Sequence, residues 1–269
     1  VDMDLDVLLG KPPGRHLDVD SRRTETRDEG LDGINLDQAI DAVLQVPAVG
    51  SKQFLVTIGD RTVGGLSVRD PMVGPWQVPV ADYALTLSDY DNDHGCAMAI
   101  GERPPLAVQS PAGSVRMAVA EALTNLAGVV VRDRRRIKLS ANWMAAAQAP
   151  GEATALRSAV EAATEMCRQI GLGIPVGKDS LSMQTRWEAD GESLTMSAPL
   201  SLNVTAFAPV PDVGRALTPQ LVTGQGQTVL ILAALDDRQR LGASALSMAV
   251  SRALGEGPDI ERPAELAAL

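Results

Sequence analysis

Two long stretches with helical spacing, 114–131 and 152–170, stand among short apolar runs, and this alternation most constrains the fold. The first repeats Val115, Ala118, Val119, Ala122, Leu123 and Leu126 along one stripe. The second is stopped by Gly171 and Gly173. Around them, residues 83–87, 136–140, 174–176, 181–187 and 194–207 read as strands. Strands interleaved with helices of this length predict an α/β fold, a sheet packed with helices. Aromatic residues make up only 3% of the chain, so its core must be built mostly from Ala, Val, Leu, Ile and Met.

The flanks read differently. Residues 1–10 alternate apolar and acidic, which predicts a short edge strand ended by Pro12 and Pro13. From 14 to 33 the chain is dense in Arg, Asp and Glu, the composition of a connector. The run from Asn35 has helical spacing, with Leu36, Ile40, Val43 and Leu44 on one side and Pro47 as its stop. Residues 54–58 and 62–68 read as strands joined by a hairpin turn at Gly59-Asp-Arg61. Residues 209–212 (Pro-Val-Pro-Asp) mark a boundary, followed by an apolar strand over 228–233 and an Ala-rich helix over 241–254. The expected division is a connector with edge strand and short helix over 1–48, an α/β domain over 49–212, and the start of a second α/β domain over 213–269. Both ends read as cut, so a segment of a longer polypeptide is expected.

Composition excludes several functions. A net charge of −10 argues against nucleic acid, which needs clustered Lys and Arg. The short basic run from Arg132 to Arg136 fits a solvated turn. Cys96 and Cys167 are too few for a disulfide framework and suit a reducing cytosol, so a cytoplasmic location is expected. With only His16 and His94, no histidine-based zinc site can be assembled, and neither lies near a nucleophile elbow. No apolar run is long enough to span a membrane as a helix.

The candidate chemistry lies in two places. Asp82 ends a loop punctuated by Gly74, Pro75 and Pro79, residues that hold a loop in one shape. Glu121 and Asn125, four apart, share one face of the first long helix. Oxygen ligands from a loop and a helix face suit Mg²⁺, which completes its shell with water and substrate phosphates. The plainer alternatives are a capping Asp and a helix-surface pair making a local hydrogen bond. Lys52 could reach a phosphate or an adenine edge, or simply guard a strand edge. Residues 177–180 (Gly-Lys-Asp-Ser) miss the P-loop register and read either as a phosphate-contacting turn or as a structural one. Trp76 and Trp143 read as buried anchors more readily than as pocket walls.

Five ordered blocks then carry a resemblance. Val73-Gly-Pro-Trp-Gln-Val-Pro-Val-Ala-Asp82, Ile100-Gly-Glu-Arg-Pro-Pro105, Glu121-Ala-Leu-Thr-Asn125, Ile137-Lys-Leu-Ser-Ala-Asn-Trp-Met144 and Ile174-Pro-Val-Gly-Lys-Asp-Ser180 together resemble the large, single-chain phosphoribosylformylglycinamidine synthases. The likeness runs from Leu5-Asp-Val-Leu-Leu-Gly10 almost to the end and is least distinctive over 14–33 and after about residue 254. It implies an ATP- and glutamine-dependent ligase of purine biosynthesis, in which ATP activates an amide oxygen and ammonia from a glutaminase domain displaces phosphate. It implies two halves of the aminoimidazole-ribonucleotide-synthetase type, each contributing an α/β domain to a shared barrel. This segment resembles the first domain of the second half, where the family holds an auxiliary ADP or ATP with Mg²⁺. On that resemblance Asp82, Glu121 and Asn125 are the metal ligands, with Lys52 and Ala81 at the nucleotide and no catalytic residue in the segment. The implied partners are the first synthetase half and the glutaminase domain. Neither cysteine matches the glutaminase nucleophile.

Two other readings compete. One is another ATP-dependent synthetase or kinase of the same superfamily, which would lack the Gly-Pro-Trp-Gln-Val-Pro and Leu-Ser-Ala-Asn-Trp-Met blocks. The other is a structural module that uses nucleotide only to stabilise its fold.

Overall fold

A computed structural model describes residues 2–11, 28–59, 64–235 and 238–268. Its elements in chain order are helices α1 (Leu5–Leu9), α2 (Leu36–Gln45) and α3 (Gln53–Ile58), then strands β1 (Ala84–Leu87) and β2 (Gly95–Glu102). Helices α4 (Pro104–Ala107) and α5 (Pro111–Asn125), strand β3 (Lys138–Met144), helix α6 (Glu152–Ile170) and strands β4 (Gly173–Ser180), β5 (Gln184–Ala189), β6 (Glu192–Ser197) and β7 (Ser201–Val210) follow. Helices α7 (Ala245–Val250) and α8 (Pro263–Leu266) close the described chain. The fold is mixed α/β, as the alternation of helical and strand patterns predicts.

Five strands form one sheet in the order β1-β2-β7-β3-β4. All its neighbours are antiparallel except β3 and β4, which run parallel and are joined by α6. A parallel pair cannot be closed by a tight turn, and α6 is the crossover it needs. Along β7 burial alternates strictly, with Leu202, Val204, Ala206, Ala208 and Val210 inside. That face meets α5, which packs on β2 and β7 and against α6. The opposite face, carrying Met98, Ile100, Thr205 and Phe207, is only half covered.

Small residues decide how closely these layers approach. The main buried cluster is Ala, Val, Leu, Ile and Met, with Cys167 and with Tyr83 as its one aromatic. At Gly101 an added Cβ would lie 2.0 Å from the Ala118 carbonyl oxygen, so the backbones of β2 and α5 nearly touch there. Helix α5 begins at Ser110, whose hydroxyl accepts from the Gly113 amide at 3.1 Å, with Pro111 in the first turn. Helix α6 ends at Gly171 in the left-handed conformation (φ 73°), where its amide bonds the Cys167 carbonyl.

Several expectations are corrected. Residues 1–10 contain helix α1 rather than an edge strand, and 54–58 fall in helix α3. Neither segment pairs with a strand among the described residues, and each satisfies backbone groups locally: the amides of Leu55 and Val56 bond the Lys52 carbonyl. The predicted hairpin turn at Gly59-Asp-Arg61 lies mostly outside the described residues, and of 64–68 only Ser67 makes an isolated bridge, to Thr86. The predicted connector over 14–33 is described only from residue 28, and His16 is not described. The single run predicted over 194–207 is two strands, separated at Pro199 and belonging to different sheets, since β5 and β6 form a hairpin of their own. Residues 177–180 are the end of β4, not a turn. Residues 228–233 are not in a strand, and Leu230, Ile231 and Leu232 are almost fully exposed. The helix expected over 241–254 is only α7. No described helix is long and apolar enough to cross a membrane.

Candidate functional site

The loop before β1 is held in one shape by its own backbone. The Val73 amide bonds the Pro79 carbonyl and the Ala81 amide bonds the Pro71 carbonyl, both at 2.8 Å. Gly74 turns the chain at φ +79°, and the Gln77 amide closes that turn on the Gly74 carbonyl. The loop therefore delivers Ala81 and Asp82 to a fixed place. That place is the wall of a cleft of about 490 Å³, shared with Arg69, Tyr83, Met98 and Phe207. Asp82 is exposed, and its carboxylate makes no hydrogen bond among the described residues.

Glu121 and Asn125 do share one face of α5, and both reach the same strand end. Glu121 Oε2 accepts from the Glu102 amide at 2.8 Å, and Asn125 Nδ2 donates to the Ile100 carbonyl at 3.0 Å. Ile100 itself lines the cleft that holds Asp82. Ala81 and Asp82 thus lie on the cleft, on the sheet face that carries Met98 and Ile100, while Glu121 and Asn125 reach the end of β2 from α5 and do not line that cleft. Lys52 is elsewhere: its ammonium donates to the carbonyls of Pro47 and Gly50, and it does not line the cleft.

The donor set fits a hard cation. Each hydrogen bond to β2 occupies one atom and leaves the second oxygen of Glu121 and the amide oxygen of Asn125 as acceptors. Two carboxylates and one amide oxygen, with no nitrogen or sulfur ligand, suit Mg²⁺. Among the described residues no three His, Cys, Asp or Glu side chains converge.

Sequence reasoning missed Arg69. Its Nη2 donates to the Ala216 carbonyl, and its guanidinium bonds the Tyr83 hydroxyl, which in turn donates to the Leu217 carbonyl. Burial raises the Tyr83 pKa, and the Arg69 charge opposes that rise. Arg69 lines the cleft, and its Nε is buried without a hydrogen-bond acceptor. The available signal was an arginine four residues ahead of the Val73–Asp82 block. Trp76, expected as an anchor, is 85% exposed at the loop tip, while Trp143 is half-buried on β3. Lys178 donates to the Ser180 hydroxyl at 2.8 Å within β4.

The family model "FGAR-AT PurM_N-like domain" matches residues 51–209, more than half of the chain. Among solved structures, the chain is similar to PurLQS from Thermotoga maritima at 16% identity, covering 79% of this chain and 30% of that one, with a TM-score of 0.49. It is similar to T. maritima PurL complexed with ADP at 17% identity, covering 80% and 30% respectively, with a TM-score of 0.49. For T. maritima PurL complexed with FGAR the identity is 18%, the coverage 80% and 29%, and the TM-score 0.46. The chain spans about 30% of the length of these structures.

Proposed function

The chain belongs to the FGAR-AT PurM_N-like domain family, and from that premise we propose that it is a segment of a phosphoribosylformylglycinamidine synthase that carries a Mg²⁺-nucleotide site. The parent protein would be a cytoplasmic ligase that amidates formylglycinamide ribonucleotide with ATP and glutamine. Its first synthetase half and glutaminase domain would be the partners of this segment, which on its own would turn over nothing.

One observation supports the reading: Ile100, whose carbonyl accepts from Asn125, also lines the cleft walled by Asp82, so a loop carboxylate and a helix-face carboxylate–amide pair flank one strand end. Asp82, Glu121 and Asn125 would hold the metal, which when bound neutralises phosphate charge. Ala81 would supply backbone contact to the nucleotide. Arg69 adds a fixed positive charge on the cleft wall that a phosphate can approach. Lys52, bonded to its own preceding loop, would have to release two carbonyls to join them.

The test is thermal unfolding of the 269-residue chain with and without Mg·ADP, beside the Asp82→Ala/Glu121→Ala variant. At a nucleotide concentration ~100-fold above Kd the expected stabilisation is about 2.7 kcal/mol. The variant should lose it, and EDTA should abolish it in the wild type. A folded protein whose unfolding ignores Mg·ADP would refute the reading. The structural-module alternative separates by exchange, since labelled ADP that never leaves the folded chain points to a fold-stabilising ligand.

A further inference from the structure

A second cavity, of about 330 Å³, lies between the loop after β3 and the segment leading from β4 into β5, and it shares no residue with the nucleotide cleft. Its size is within the range of small-molecule sites. The loop supplies Gln148 between two alanines, and the second wall carries Ser182, Gln184 and Arg186. Two backbone bonds tie the walls together: the Ala147 amide donates to the Leu181 carbonyl at 3.1 Å, and the Met183 amide to the Ala145 carbonyl at 3.2 Å.

Charge narrows the ligand. No carboxylate lines this cavity, although the chain carries a net charge of −10. On α6, Arg157 and Arg168 are paired with Glu161 and Glu165. Arg186 makes no ion pair among the described residues, and Glu188, the next residue on its strand face, does not line the cavity. The Arg186 guanidinium is nonetheless held in place. Its Nε donates to Gln184 Oε1 at 3.0 Å, and Gln184 Nε2 donates in turn to Ser197 Oγ at 2.8 Å across the β5–β6 pair. With Nε engaged, the Nη1–Nη2 edge keeps its two parallel donors, the fork that grips two oxygens of one anion. The Ser182 hydroxyl and the Gln148 side chain are uncommitted among the described residues and can add donors. A cation would meet the guanidinium charge with no carboxylate to offset it. We infer that this cavity binds a small molecule bearing a carboxylate or phosphate group, held bidentately by Arg186.

The site is independent of the nucleotide reading. It is tested by NMR titration of the full chain, without Mg²⁺ and at constant ionic strength, with inorganic phosphate, acetate and methylammonium. Saturable shifts are expected at the amides of the lining residues with phosphate, acetate or both, and the anion that acts identifies the group. Methylammonium should leave those amides unmoved. Arg186→Lys keeps the charge but loses the fork, and it should bind roughly tenfold more weakly. Arg186→Gln should not bind, whereas Arg157→Gln, which removes an exposed arginine elsewhere, should bind as wild type does. Arg186 is exposed on its strand, so its variants should keep the wild-type fold, which the remaining amide resonances report. No saturable shift at the lining residues of folded wild type overturns the inference. Undiminished anion binding by Arg186→Gln overturns it too, as does a response to methylammonium equal to that of the anions.

Discussion

Replacing Gly101 by Ala tests the contact on which the candidate site rests. The new Cβ would lie 2.0 Å from the Ala118 carbonyl oxygen and 2.6 Å from the Ala122 amide nitrogen, both backbone atoms of α5. Ordinary contact begins near 3.4 Å, so helix and strand must part by about 1.4 Å. No side-chain rotamer can absorb that. Glu121 and Asn125 sit on the same turns, and their bonds of 2.8 and 3.0 Å to β2 would stretch past useful length. Overpacking of this kind costs about 1–3 kcal/mol. Two hydrogen bonds add about 0.5–1.5 kcal/mol each. The expected destabilisation is therefore about 2–6 kcal/mol, read as the shift of a urea unfolding midpoint at constant m-value. Gly173→Ala is the control, because its Cβ would meet nothing within 4 Å, and it should stay within about 0.5 kcal/mol of wild type. Gly101→Ala should also lose the Mg·ADP stabilisation even where the protein is still folded. If Gly101→Ala matches Gly173→Ala, the backbone approach of α5 to β2 is not what holds the site.

Tyr83→Phe removes the hydroxyl that donates to Leu217 and takes a bond from Arg69. A loss of about 1 kcal/mol is expected from urea unfolding, and an unchanged midpoint would contradict the bonded role of the hydroxyl. Glu152 carries a pH signature. Its folded pKa is raised by burial above the ordinary 4.5, so between the two values the folded chain holds more protons than the unfolded one. Stability then falls as pH rises through that window, the loss being complete above the folded pKa. Glu152→Gln should remove this fall, so its unfolding midpoint should exceed that of wild type increasingly from pH 4.5 upward. Parallel profiles would show that burial does not disfavour the carboxylate.

Legibility in the sequence followed the strength of local signals. Residues 152–170 carry helical period and a terminal glycine, and α6 has those bounds. Asn35 caps α2 by accepting from the Gln38 amide, as the start of that run implied. Strands depend on partners, and there the reading slipped. Residues 54–58 are apolar and partly β-branched, yet with no strand paired to them among the described residues they close on themselves as α3. Strand β2 escaped notice because Gly-Cys-Ala-Met-Ala-Ile-Gly alternates small residues, a weak hydrophobic pattern. Asp190-Gly191, both at positive φ, form the hairpin between β5 and β6, and the Asp-Gly pair was a visible turn signal. Of the site, the carboxylates and the amide were legible as residue types at a spacing. Arg69 was not, because its role depends on a donor left without a partner, which only packing reveals.

The same packing explains why β2 is poor in hydrophobic signal. A helix whose backbone touches a strand needs glycine on one side and alanine on the other, and Gly101, Ala118 and Ala122 meet that need. Side chains three and four apart on a helix are neighbours, so Ala118 and Ala122 bring Glu121 and Asn125 down onto the strand with them. The sequence offered two readings of that pair, local hydrogen bonding or ligand binding. The geometry makes them compatible, because each side chain uses one atom to grip β2 and keeps an oxygen uncommitted. A bond to the backbone of a central strand fixes a carboxylate more firmly than a surface lysine would, and a metal ligand needs that fixity. Small residues at the interface are thus the physical condition for the candidate site.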